Sequence, residues 1–419
     1  MKKVRLYDVL DDILDFSSKA TYSGRNNMSL ERNIPTLSAL SVFQNYIDYS
    51  KCYYVSLDEY KKMTEKRIPK IGDILITKEA PVGRVAMLDK NGIAIGRRLW
   101  LLTGKENILN NDYLLYFLQW DKTQQLLRNI SNGSTVKSIN LNTFRNLEVE
   151  IHTYYEQVKI GNLLNLIDKK ILLNNKINDN LTSQILNIYE NWFIKFNFPG
   201  KNSESYKKNR KKFVYNEVIN QELPINWEIQ SIFENKLCEI ISPGIDVFNK
   251  EKKYYATKEI QSMNIGEGEW IFYKNRKSRA NMQPQSNSVW FAKMKNSIKH
   301  LFITRNMEFM LNKGVLSTGF CGLKCKDNSF AYIASFVLHP NFEFQKDALS
   351  HGATQQSINN EDLKNIKLII PDEETLNTYH KLTNPMFCKI TENTCETRLL
   401  INLKKVLLPL LMNGQVTIR

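Results

Sequence analysis

The residues best able to do chemistry on their own are the close pair Cys321 and Cys325 and the five histidines His152, His300, His339, His351 and His380. A structural zinc site takes four Cys or His ligands, usually as two close pairs. No second pair follows Cys325, and His339 and His351 are distant in sequence, so free thiols are expected and no metal ligand is assigned. Six cysteines in 419 residues are also too sparse for a disulfide framework. There is no G-x-x-x-x-G-K-[ST] loop to cradle nucleotide phosphates, and Gly266-x-Gly268 is too short for a dinucleotide fingerprint and reads as a turn. Neither the Asn-Pro-Pro-aromatic stretch of an amino-methyltransferase nor an H-E-x-x-H helix occurs. Pro371-Asp372 lacks the spaced Glu-x-Lys of a nuclease. The expectation is a chain with no catalytic residue and no cofactor of its own.

What remains is charge. Lys and Arg outnumber Asp and Glu by 58 to 43, a formal net charge of +15. Such an excess favours an anionic partner, because Lys and Arg gain affinity by releasing the counterions around phosphates; the alternative is a host with lysine-rich proteins. In the first half the candidate contacts to such a partner are Arg25, Asn26, Asn27, Lys78, Arg84, Arg97, Arg98 and Lys137. In the second half they are Lys274, Asn275, Arg276, Lys277, Arg279, Asn281, Gln283, Lys293, Lys295 and Lys324, with 274–279 the most basic loop and Tyr273 beside it. Each could equally be a solvated surface charge.

These residues must be positioned by something, and the chain says it twice. Residues 132–151, NGSTVKSINLNTFRNLEVEI, return at an offset of 219 as HGATQQSINNEDLKNIKLII, residues 351–370. The shift superposes Gly133 on Gly352, Thr135 on Thr354, Ser138 on Ser357, Ile139 on Ile358 and Asn140 on Asn359. Both glycine stretches are expected to be tight turns whose Ser and Thr hydroxyls satisfy nearby backbone groups, with phosphate binding by Ser134, Thr135 or Thr354 as the alternative. Upstream, KIGDILITK (Lys70–Lys78) alternates like a strand and NSVWFAKMK (Asn287–Lys295) resembles it at offset 215, while NDYLLYFLQW (Asn111–Trp120) reads as a buried helix.

Each copy leads into a long helical pattern. The first carries Ile160, Leu164, Ile167, Ile171, Asn174, Asn178, Leu181, Ile185, Ile188 and Trp192 at alternating four- and three-residue spacing, eight of the ten apolar. The second carries Tyr379, Leu382, Met386, Ile390, Asn393, Glu396, Leu400, Leu403, Leu407 and Leu410. Asn174 matches Asn393 at the same offset, and a buried Asn in a seam fixes register. An antiparallel pairing would bring Asn174 and Asn178 near Asn393 and Thr397; the alternative is that each helix packs on its own domain. Pro385 should break or restart the second helix near Asn384, and Gly414 is its expected stop. Between the helix and the second half, PGKNSESYKKNRKK (Pro199 to Lys212) reads as a basic linker.

The duplicated order of globular segment, G-[SA]-T-x-x-S-I-N, apolar strand and long Asn-rich leucine helix resembles the specificity subunits of type I restriction-modification enzymes. Ile71-Gly72-Asp73-Ile74-Leu75, Glu156-Gln157, Asn174-Asn175, Leu223-Pro224-Ile225-Asn226-Trp227, Leu407-Leu408-Pro409-Leu410-Leu411 and Asn413-Gly414 carry the likeness with the two repeats. It covers nearly the whole chain. The second copy departs from it with Glu373-Glu374-Thr375 in place of the Glu-Gln pair.

The resemblance implies a mixed α/β (α+β) fold with a pseudo-two-fold internal repeat, in which two long helices forming an antiparallel coiled coil join two globular domains. The expected parts are a target-recognition domain over 1–154, helix 155–198, linker 199–212, a second recognition domain over 213–372 and helix 373–419. It implies further that each domain reads half of a split, asymmetric site in double-stranded DNA, that the helices set the spacer, and that catalysis belongs to partners. Those are two methyltransferase subunits using S-adenosylmethionine and restriction/translocase subunits using ATP and Mg. Four Asp (Asp8, Asp11, Asp12, Asp15) spoil any signal-peptide core and no apolar run spans a bilayer, so a cytoplasmic protein without a membrane partner is expected. Two other classes stay open: a stand-alone methyltransferase or nuclease with an unrecognised site, which would act without partners, and a coiled-coil scaffold that does not bind DNA.

Overall fold

In the first half, the ILIT run at 74–77 is buried at every position, the signature of a strand covered on both faces. The computed structural model, which describes residues 1–15, 29–199, 206, 213–326 and 328–418, places it inside a four-stranded antiparallel sheet. The chain divides into two units, 1–170 with 401–419, and 171–400.

In the first unit the sheet order is Leu10–Asp15, Leu99–Gly104, Ile74–Thr77, Val85–Met87. Alternation splits its side chains. Ile13, Ile74, Ile76, Trp100 and Leu102 pack with the helices Asn111–Gln119 and Asp121–Asn129, whereas Leu14, Leu75 and Leu101 pack with Leu37, Val42 and Ile95. A smaller sheet centres on Ile34–Leu37, parallel to Ala94–Ile95 and antiparallel to Tyr53–Val55.

The second unit repeats the plan. Its main sheet runs Cys238–Ile240, Phe320–Cys325, Ser288–Ala292, His300–Ile303, and in its other sheet Lys252–Tyr255 lies parallel to Gly314–Ser317 and antiparallel to Glu269–Ile271. Helices Phe330–Leu338 and Pro340–Ala348, strand Lys367–Ile370 and the second long helix each begin 219 residues after their first-half counterparts. The repeat seen in 20 residues of sequence is thus a repeat of topology.

The first long helix spans Tyr154–Tyr189 and ends in a π-helical turn, Glu190–Ile194. Thr153 and Glu156 form a capping box: the Glu156 amide donates to Thr153 Oγ1 (3.4 Å) and the Thr153 amide to Glu156 Oε2 (3.1 Å). Gln157, fully buried, accepts from the Asn110 amide and donates to the carbonyls of Ile108 and His152. The second copy solves the same problem differently. Asp372 caps through Thr375, and Leu376, buried at the position of Gln157, packs instead of bonding.

The second long helix, Glu373–Met412, is continuous, which corrects the expectation that Pro385 breaks it. Pro385 is exposed, so the carbonyl that loses its donor faces water, while buried Tyr379, Phe387 and Ile390 hold the other face. The helix stops before Gly414, whose φ is +72° and whose amide donates to the Leu411 carbonyl.

Candidate nucleic-acid interface and the helix pair

Within the second unit the two long helices bond to one another through buried amides. Asn393 Nδ2 donates to Asn178 Oδ1 (2.9 Å), and Asn174 Nδ2 donates to Glu396 Oε2 (2.9 Å) and Thr397 Oγ1 (3.3 Å). Asn178 Nδ2 reaches the Ile390 carbonyl. Numbers rise along one helix as they fall along the other, so the pair is antiparallel. Since 393 repeats 174 and 397 repeats 178, the bonded pairs 174–397 and 178–393 exchange under the internal repeat. Ile185 and Ile390 are buried here and Leu181 and Met386 pack against the same core, with Ile171 and Leu400 half-buried.

Within the first unit, Ile160, Leu164 and Ile167 are buried and Leu407 packs with the first two. Lys404 donates to both oxygens of Asp168 (2.8 and 2.7 Å), and Asp168 also accepts from Tyr116 Oη and Asn45 Nδ2, each at 2.7 Å. Leu403 is a correction: it is 46% exposed. The strict count drifts off the contact face because an α-helix turns every 3.6 residues, and Lys404 takes the inward position.

The basic candidates fall into three groups. In the first unit, Lys78 through Arg84 forms the turn between two sheet strands. The Lys78 amide donates to the Arg98 carbonyl, and the Ile139 amide to the Lys78 carbonyl (2.9 Å each). Glu79 bridges Ser138 and its carboxylate pairs with Arg98 (2.7 Å). This brings Lys78, Arg97, Arg98 and the glycine loop bearing Lys137 to one edge. Arg98 is held there at φ +72°, a costly conformation for a side chain of this size. Lys78 is turned onto Asp15 (2.6 Å), and Arg84 lies over the Phe43 ring. Arg25, Asn26 and Asn27 lie outside the described residues, as do 200–205 and 207–212 of the basic linker.

The second unit has the equivalent edge. The Ile358 amide donates to the Lys293 carbonyl (3.0 Å) and the Lys295 amide to the Gln356 carbonyl (2.9 Å). The third group is the turn 272–279. Lys274, Lys277 and Arg279 are exposed, Arg276 stacks on Tyr273 (4.0 Å), and Lys277 pairs with Glu269 (2.5 Å), which raises its pKa. Trp270 and Phe272, half-exposed beside them, carried no signal in the sequence. Asn281 and Gln283 are half-buried; Gln283 accepts from Lys252. Lys324, elsewhere, is tied to the Ser286 carbonyl.

The glycine loops are turns, as expected, but their hydroxyls do not satisfy the backbone. Ser134, Thr135 and Thr354 are exposed and, among the described residues, their side chains have no partner. Local bonding is taken over by main chain, leaving the hydroxyls facing water.

No group of three His, Cys, Asp or Glu among the described residues could hold a metal. Cys321 and Cys325 share a strand, with Cys238 opposite Cys325. Burial pushes Cys238 up to about 11 and Cys321 up to about 12, so these thiols stay protonated at neutral pH. The structure also reveals a buried group that charge counting missed. Lys346, wholly buried, donates to the carbonyls of Ala292, Met294 and Ser297 and pairs with Glu343, which bonds His300.

A family model described as the type I restriction modification DNA specificity domain matches residues 8–183. The type I restriction enzyme MjaIX specificity subunit of Methanocaldococcus jannaschii is 26% identical over 386 residues, covering 87% of this chain and 84% of its own. The HindI specificity subunit of Haemophilus influenzae is 20% identical over 450 residues, covering 94% and 96%. Along most of its length the chain is thus similar to type I restriction specificity subunits. The specificity-subunit fold is matched too: the S subunit of the type I restriction-modification system from M. genitalium covers 98% of this chain and 96% of its own, with a TM-score of 0.56 at 13% identity. No helix among the described residues is long and apolar enough to cross a membrane.

Proposed function

We propose that this specificity subunit reads a bipartite, asymmetric site in double-stranded DNA, one half by each repeat, and directs methylation and restriction carried out by other subunits. The subunit itself is non-catalytic. The observation that carries the reading is one scaffold built twice with different outer segments. After the edge strand of the smaller sheet, the first unit has the helix Leu57–Met63, capped by Ser56, while the second has the basic turn 272–279. A common frame with unlike outer surfaces suits two readers of unlike sequences, because base readout depends on which donors and acceptors face the groove. Arg97, Arg98, Lys137, Lys274, Arg276, Lys277 and Arg279 are the preferred DNA-facing cations, and the net charge of +15 supports an anionic partner.

The finer partners are those that the resemblance to specificity subunits implies. Two methyltransferase subunits with S-adenosylmethionine, which must extrude the target adenine, and restriction/translocase subunits with ATP and Mg complete the complex in the cytoplasm, where the DNA is. Leucines left exposed on the long helices, Leu172 and Leu173 in one unit and Leu166 in the other, support docking there.

Methylome sequencing of cells carrying the complete system tests the reading. Replacing residues 1–150 with the equivalent domain of a relative should change one half of the methylated sequence and leave the other. A change in both halves, or in neither, would defeat it.

A further inference from the structure

The two glycine loops are shared between the repeats at positions that packing does not explain. Residues 133–137 and 352–356 are exposed throughout, yet Gly133, Thr135 and Ser138 return as Gly352, Thr354 and Ser357. Buried residues recur in a duplicated fold because the core must be refilled; an exposed threonine needs another reason.

The two loops also have the same conformation. Each closes a short hairpin, Asn132 opposite Ser138 in one and His351 opposite Ser357 in the other. Gly133 and Gly352 have φ of +123° and +132°, and a Cβ there would sit 2.2 Å from the Val136 carbonyl oxygen and 2.6 Å from that of Gln355. Each is pinned to the lysine ending the equivalent central strand, through Ile139 to Lys78 and through Ile358 to Lys293. Each therefore presents its threonine from the same place on the sheet, with Lys78, Arg98 and Lys137 on the same edge in one unit and Lys293 and Lys295 in the other. The threonine hydroxyls have no partner among the described residues.

Two half-sites of different sequence share only their sugar-phosphate backbone. We infer that the two loops are matched phosphate clamps, in which the hydroxyls of Thr135 and Thr354 donate to backbone phosphates of the two half-sites, setting each repeat on the duplex without reading bases. The inference rests on the DNA-reading function proposed above. The positions that differ between the loops, Ser134 against Ala353, Val136 against Gln355 and Lys137 against Gln356, flank the shared threonines and are left to tune affinity.

The test uses the full subunit assembled with its methyltransferase partners, a synthetic duplex carrying the methylome-derived site, and a scrambled duplex of equal length. Thr135→Val with Thr354→Val removes both hydroxyls and keeps the shape; Thr135→Ser with Thr354→Ser keeps them. The valine pair should weaken binding to both duplexes by the same factor, about ten-fold, with the slope of log Kd against log salt unchanged because no cation is lost. The serine pair should bind as the unaltered complex does, and the methylated sequence should be the same in all three. A loss confined to the target duplex, an altered methylated sequence, a serine pair as weak as the valine pair, or no loss at all would each overturn the clamp. An unaltered complex that binds neither duplex would overturn the DNA reading beneath it as well.

Discussion

At the scale of single residues, two buried charge clusters distinguish the repeats. Asp168 gathers Asn45, Tyr116 and Lys404 in the first unit, and the repeat offset puts Phe387, fully buried, at its place in the second. Asp168 and Lys404 are each only 16% exposed, so removing Asp168 strands the Lys404 ammonium. Asp168→Ala should cost roughly 2 kcal/mol of stability, and Lys404→Met less because Tyr116 and Asn45 still satisfy the carboxylate; urea unfolding of the two variants measures the difference. The second cluster is acid-sensitive. Burial raises the Glu343 pKa, but hydrogen bonds from His300 and Lys346 and the Lys346 charge outweigh it and hold the carboxyl below its ordinary value. A carboxyl depressed in the fold stabilises above its unfolded pKa, and that contribution disappears as pH falls from about 4.5 through the lower folded value. Glu343→Gln should therefore destabilise at pH 7, by about 2–3 kcal/mol, and lose part of the further drop between pH 5 and 3. Equal acid sensitivity in both proteins would mean that other carboxylates set the limb.

Elements are where register is decided. The helix pair contains Asn174, Asn178 and Asn393, all buried, and a slip of either helix would leave their amides unpaired in an apolar seam. Replacing only Asn178 with Leu orphans Asn393 and should cost about 1–3 kcal/mol. Replacing both with Leu should recover that stability or exceed it while loosening register. Thermal melts of the single and double variants, with cysteine cross-linking across the helices to report alignment, separate the two effects. The same reasoning explains Pro385: one hydrogen bond surrendered to water on an outer face is smaller than the burial of Tyr379, Phe387 and Ile390 on the inner one.

For the whole molecule the governing quantities are length and charge. Helices of 36 and 40 residues rise about 54 and 60 Å. If they act as the ruler between readers, adding one heptad to each should lengthen the unread spacer and leave both half-sequences intact, which methylome sequencing will show directly. With a net charge of +15, binding should be steeply salt-dependent. If six to ten phosphates are neutralised, affinity should fall by about 10³–10⁵ between 50 and 200 mM salt; a flat titration would point to recognition that does not use this charge.

The repeat, the two long helices and the glycine loops were legible in the sequence because each is a local pattern: a period, a turn residue or a matched segment. Asn174 and Asn393 stood out for the same reason, as polar breaks in an apolar spacing. The Asp168 cluster was invisible, since Asn45, Tyr116 and Lys404 lie as far as 236 residues from it and Asp168 is just another charge beside the seam. Lys346 carried no signal in the sequence, and Leu403 looked like core. Sequence by itself determined which elements form and that they form twice, because backbone propensity and hydrophobic period act over a few residues. Tertiary structure alone decided which charges are spent on internal partners and which are left in solvent, because that depends on distances between segments that no local pattern encodes.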